Sequence, residues 1–137
     1  MKQLLLILLL ISPLLSGELN WLYSYDQAVA KAQATDKNIF VFIEAEHCPY
    51  CEQMKQEVLE TKYIGNALKH FVPLKLDISS KDVKTHFPKA YITPTSYFIT
   101  PQGKLLEEAA GALTEEFFFW RIDSAEAEAK RDKGNKK

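Results

Sequence analysis

Cysteine is scarce in this chain: Cys48 and Cys51 are the only two among 137 residues. Two residues separate them, and that spacing argues against a bridge that staples the fold. Closing so small a loop contributes only about 2 kcal/mol of cross-linking stabilisation, against about 4.7 kcal/mol for a loop of one hundred residues. Zinc binding is also disfavoured. A structural site needs four ligands, no second Cys-x-x-Cys exists, and His47 beside Cys48 is poorly placed to join one. An excess of basic charge is missing too. Lysine and arginine total 17 against 18 acids, a net charge of −1, so there is no global field to hold nucleic acid. Internal repeats and interior low-complexity linkers are absent. The length and the ordinary balance of 47% hydrophobic and 26% charged residues therefore fit one globular domain.

No apolar run reaches the roughly 20 residues of a comfortable membrane-spanning helix. The longest, Leu4 to Leu15, follows a basic start at Lys2 and ends in Ser16-Gly17. Residues 1–17 therefore read as a secretory signal peptide cleaved near Ser16 or Gly17. No cysteine follows it directly, which argues against a lipid anchor. The mature chain is expected to be exported, in a bacterium to the periplasm, where the redox state of thiols is consequential.

Beyond the leader, Ser24-Tyr25-Asp26-Gln27 has the form of a capping box opening a helix. Its apolar face is Tyr25, Ala28, Val29 and Ala32. Ile39 to Ile43 is a continuous β-branched and aromatic run, the pattern of a strand buried on both faces of a partly parallel sheet. The cysteine pair follows at once. Pro49 suits the first turn of a helix, which Cys51, Met54 and Val58 continue. A helical segment near Tyr63 to His70, a strand from Phe71 to Asp77 and a short helix or turn from Ser79 to Phe87 come next. Thr95 to Thr100 and Lys104 to Ala109 form a hairpin about Pro101-Gln102-Gly103. Thr114 caps a last helix, whose packing surface is expected from Phe117, Phe118, Trp120 and Ile122. A docking surface at Phe117 to Trp120 is the lesser alternative, and Trp21 and Tyr23 are candidates to cover an apolar edge. The domain is expected over 18–128, with 129–137 a charged, disordered tail. This order of elements implies an α/β fold with a mixed sheet between helices.

A cysteine between a strand end and a helix N-terminus faces unpaired N–H groups and the positive end of the helix dipole, which stabilise a thiolate. A lowered thiol pKa makes the sulfur nucleophilic near neutral pH. Cys48, the outer residue, is assigned the attack. Cys51, one turn further in, resolves the mixed disulfide. Pro49 stiffens the turn, and Tyr50 adds bulk beside the sulfurs.

The stretch from Phe40 to Cys51 resembles the strand, active-site loop and helix of the thioredoxin superfamily. Thr93-Pro94-Thr95 resembles its cis-proline loop, and Gly111-Ala112-Leu113-Thr114 its entry to the final helix. The similarity covers roughly Ser24 to Ala127, and it is nearest to exported thioredoxin-like proteins of the SoxW and disulfide-reductase type. It implies a thioredoxin-like fold with a mixed central β-sheet of about four strands sandwiched by helices. It also implies a redox-active Cys48–Cys51 disulfide and a substrate groove shaped by Thr93, Pro94, His47 and Tyr50. The chain departs from the family at two positions. His47 stands where a tryptophan is usual, and Phe42 where the family buries an aspartate that moves the inner cysteine's proton. Glu44, two residues along on the same strand face, is the candidate replacement. His47, when protonated, is a candidate to favour the thiolate. His70 and His86 are expected at the surface without a role.

Cys-Pro-Tyr-Cys is also the motif of glutaredoxins. Here the glycine pair that grips glutathione is missing, because Glu107-Glu108-Ala109-Ala110-Gly111 puts its acids before a single glycine. The expected function is an exported protein dithiol–disulfide oxidoreductase of reductase type, monomeric and needing no metal or organic cofactor. Its partners would be protein thiol or disulfide substrates and, by family resemblance, a membrane thiol reductase as electron donor. A disulfide oxidase or isomerase is the alternative within the same chemistry. A non-catalytic interaction domain of the same fold is the alternative outside it.

Overall fold

The run at Ile39–Ile43 forms the middle of strand β1 (Asn38–Glu44), and all five of its side chains are buried. The computed structural model of the chain describes residues 18–136. The expected leader, residues 1–17, lies outside the described residues. The remaining elements are α1 (Tyr25–Thr35), α2 (Pro49–Met54), α3 (Lys62–Leu68), β2 (Phe71–Asp77), α4 (Lys81–His86), β3 (Thr95–Ile99), β4 (Leu105–Ala110) and α5 (Glu115–Gly134). A π-helical turn, Lys55–Leu59, continues α2 without a break.

The sheet order is β2-β1-β3-β4. β1 runs parallel to β2 and antiparallel to β3, and β3 pairs antiparallel with β4. This is the thioredoxin-like arrangement of a four-stranded mixed sheet flanked by helices. Alternate β1 side chains enter opposite layers, as a strand period of two requires. Phe40 and Phe42 pack with Met54, Val58, Phe98 and Phe118. Ile39, Val41 and Ile43 pack with Ala28, Ala32, Leu74 and Val83. Each large side chain so buried contributes about 1.5–3 kcal/mol of apolar transfer free energy.

The helix starts follow local chemistry. The side chains of Ser24, Thr61, Ser80 and Thr114 each accept a hydrogen bond from the backbone N–H three residues on. α1 stops at Asp36 in the left-handed region, φ 49°, where the N–H of Lys37 reaches back to the Ala32 carbonyl at 3.1 Å. The segment after the leader runs along the outer edge of β2. Leu22 exchanges backbone hydrogen bonds of 2.9 Å with Pro73 and Lys75. Trp21 lies against Phe40 and Phe42, with ring centroids at 5.8 and 6.3 Å. Tyr23 remains exposed, so Trp21 alone covers apolar surface.

Two expectations for the C-terminal part are corrected. Phe117 and Trp120 do not pack into the core. The inward stripe of α5 is Phe118, Ile122 and Ala125, spaced four and three residues apart as a helix face demands, and 117 and 120 fall on the opposite side. The stretch from 129 is not a disordered tail, because α5 continues to Gly134. Ala129 packs against the core edge. Glu128–Arg131 and Asp132–Lys136 pair along the helix at 2.6 and 3.0 Å, and Lys104 pairs with Asp132 from the β3–β4 turn.

Candidate active site

β1 ends at Glu44, and the chain turns through Ala45–His47 into α2. His47 takes a left-handed conformation, φ 54°, and is exposed. It bends the backbone so that Cys48 becomes the N-cap of α2 and Pro49 its first residue. The Cys48 sulfur accepts the Cys51 N–H at 3.2 Å. The helix therefore directs a backbone donor, with its dipole, at the outer sulfur. Cys48 is half-buried, whereas Cys51 is fully buried. Cys48 and Cys51 are joined in a disulfide with their Cα atoms 5.2 Å apart.

A second donor reaches the same sulfur from across the fold. The Thr93 hydroxyl donates to Cys48 Sγ at 3.3 Å. The Thr93–Pro94 peptide bond is cis, and Pro94 is buried. Two contacts hold this loop. The Thr95 hydroxyl donates to the Ile92 carbonyl at 2.7 Å, and the Gly111 N–H donates to the Pro94 carbonyl at 2.8 Å. Gly111 sits at φ 86°, a conformation that costs glycine little and other residues more. Tyr50, between the cysteines, is exposed, as are Tyr91 and Ile92 on the opposite rim.

Glu44 does not stand free at the strand end. Its carboxylate receives the Lys55 ammonium at 2.8 Å, and Lys55 also meets Glu52 at 2.6 Å. Lys55 lies four residues after Cys51, on the same helix face, so the pair ties the end of β1 to the helix one turn below the buried cysteine. Burial pulls the Lys55 ammonium down, but hydrogen bonds and charge from Glu44 and Glu52 outweigh it, and its pKa is raised. Lys75 is the register partner of Phe42 on β2 and lies over the Trp21 ring at 4.6 Å. Burial is the main cause of its lowered pKa, with Lys55 adding to the effect and Glu44 opposing it.

The structure brings together Cys48, Cys51, Thr93 and Pro94, with His47 and Tyr50 on the adjoining turn. Glu44 lies at the end of β1, engaged with Lys55. His86 stacks on Tyr25 with ring centroids at 3.6 Å, and His70 is exposed. Sequence reasoning missed two features. One is the Thr93 hydroxyl, since Thr93 was assigned only to the substrate groove and not to the Cys48 sulfur. The other is Lys55, whose i+4 spacing from Cys51 was the available signal. Among the described residues, no group of three His, Cys, Asp or Glu side chains could hold a metal ion, and no helix is long and apolar enough to cross a membrane.

Comparison with known proteins agrees with this geometry. A family model described as thioredoxin-like matches residues 20–101, more than half of the chain. A thioredoxin from Thermus thermophilus superposes with a TM-score of 0.68 at 27% identity, over 77% of this chain and 85% of that one. The structure of a DsbH oxidoreductase gives 0.65 at 18% identity, over 83% and 88%. The C-terminal domain of Neisseria meningitidis DsbD in its oxidised form gives 0.59 at 15%, over 75% and 90%. The latter two likenesses speak for the fold. Among curated proteins, the human Anterior gradient protein 2 homolog is 23% identical over 101 residues, and the match covers 57% of its length. The chain thus spans little more than half of that relative.

Proposed function

The chain belongs to the thioredoxin-like family, and from that premise we propose that it is an exported reductase of protein disulfides. Its fold and its Cys48–Cys51 pair make it a thiol–disulfide oxidoreductase in general terms. The proposal adds the direction, the compartment and the task of each residue. One observation carries the assignment of Cys48 as the attacking sulfur: it is half-buried at a helix N-terminus, beside a fully buried Cys51 in bonding reach.

In the reduced protein, the Cys48 thiolate attacks one sulfur of a substrate disulfide. A mixed disulfide forms, the substrate S–S bond breaks, and the departing thiolate takes up a proton. Cys51 then loses its proton and attacks Cys48 Sγ. The mixed disulfide breaks, the Cys48–Cys51 bond forms, and the second substrate thiol leaves. Two electrons pass to the substrate, with one proton from Cys51 and one from solvent. An external dithiol, in this proposal a membrane thiol reductase, restores the pair by the reverse exchange. Thr93 and Pro94 shape the groove that receives the substrate backbone, with His47 and Tyr50 at its rim. Glu44, held by Lys55, takes the Cys51 proton. The leader-like residues 1–17 support export.

The reverse direction has one observation in its favour. The Thr93 hydroxyl and the Cys51 N–H both donate toward Cys48 Sγ. Donors to a thiolate stabilise the reduced form and make a pair more oxidising. Insulin reduction tests the enzyme reading. The wild type should turn over insulin with a dithiol donor and Cys48→Ser should not. Equal rates for the two would sink it.

A further inference from the structure

α5 carries two large aromatic side chains that the core does not use. Phe117 is 51% exposed and Trp120 55%, and they meet edge to face at 5.1 Å. Paired exposed aromatics of this kind mark interaction sites more often than isolated ones do. They line a cleft of about 360 Å³ whose near wall is Leu113. Leu113 is also the far wall of a second cleft of about 360 Å³, which begins at Tyr50 between the two cysteines and is floored by Met54 and Val58. The two clefts therefore lie end to end from Tyr50, across the β4–α5 loop, to Trp120.

We propose that this path is the docking track for the polypeptide that presents the disulfide, with Trp120 and Phe117 gripping an apolar side chain of that polypeptide several residues from its reacting cysteine. The proposal rests on the reading of Cys48 as the attacking sulfur. Three observations select an extended substrate segment as the occupant. The track starts at Tyr50, between the two cysteines, and its two clefts share Leu113. It consists of two clefts that share one wall, which suits an extended chain that sends side chains into each in turn. Finally, Glu57 and Glu115 line the near cleft, which complements neutral or basic residues flanking the substrate cysteine. Arg121 at the far end is already paired with Glu107 at 3.1 Å, so it leaves the aromatic pair as the main feature there.

The test uses the full chain, recycled by dithiothreitol, and synthetic peptides whose single cysteine is capped as a disulfide with mercaptoethanol. One peptide series carries a leucine at increasing distance from the cysteine, on either side, and a matched series carries serine. For the wild type, KM should fall about tenfold for leucine at one spacing and on one side, the effect of one good aromatic anchor. Trp120→Ser and Phe117→Ser should lose that advantage while keeping kcat, and should turn over hydroxyethyl disulfide like the wild type. Equal KM values for variants and wild type across the series overturn the docking track but leave the enzyme reading intact. Failure of the wild type to reduce any disulfide overturns both. A dimer in sedimentation that Trp120→Ser dissolves, with KM unchanged, assigns the face to a second copy and also overturns the proposal.

Discussion

Replacing Thr93 with valine removes a single hydroxyl while keeping the β-branched shape beside Pro94. That hydroxyl donates to Cys48 Sγ at 3.3 Å. Hydrogen bonds to charged groups contribute about 1.5–3 kcal/mol. A contact of this length to a half-buried sulfur belongs at the low end, about 1.5 kcal/mol. The bond favours the thiolate over both the thiol and the disulfide, so its loss has two readable consequences. The Cys48 pKa should rise by about one unit. The potential should fall by about 30 mV, since the reduced form loses that stabilisation while a two-electron couple converts 1.4 kcal/mol to 30 mV. The pKa is read from thiolate absorbance during a pH titration of the reduced protein, and the potential from equilibrium with a glutathione buffer. Thr93→Ser retains the hydroxyl and should restore both values. A valine variant that titrates like the wild type would refute the claim that this hydroxyl tunes the nucleophile.

Other outcomes follow from the same contacts. Glu44→Gln should slow decay of the mixed disulfide without slowing its formation, as followed by rapid quenching, and an unchanged decay would leave Glu44 a structural partner of Lys55. Phe118→Ala should cost about 3–5 kcal/mol in chemical denaturation, whereas Phe117→Ala should stay within about 0.5 kcal/mol; equal losses would contradict the assigned faces of α5. Lys55→Met should destabilise the fold at neutral pH. Because the folded Lys55 pKa is raised, its stabilisation is complete below the ordinary lysine value and is lost only as pH rises through the folded pKa. Stability curves for variant and wild type should therefore converge only in strong alkali, and convergence at neutral pH would refute the ion pair's role.

The parts of the fold legible in the sequence were those set by local chemistry. Ser24 and Thr114 announce helix starts because their hydroxyls satisfy N–H groups three residues away. Ile39–Ile43 announces a central strand because no residue in it tolerates water on either face. Cys48 and Cys51 were placed by the same logic, since Pro49 after a buried strand marks a helix entry. Contacts between distant elements were harder to see. Glu44 looked like a proton carrier without its partner, because Lys55 meets it only once the turn after α2 is in place beside the end of β1. Thr93 looked like part of the groove alone because its hydroxyl finds Cys48 across 45 residues of sequence. On α5, counting aromatics overstated the core, since Phe117 and Phe118 are adjacent in sequence but point apart on a helix. Charge from residue 129 resembled a tail, although its ion pairs close along one helix.

The central claim is the direction of electron flow, and the reduction potential of the Cys48–Cys51 couple tests it most directly. Equilibration of the wild-type protein with a redox buffer should give a potential near the reducing end of the family range, about −270 mV, whereas a value near about −120 mV would identify an oxidant and contradict the account.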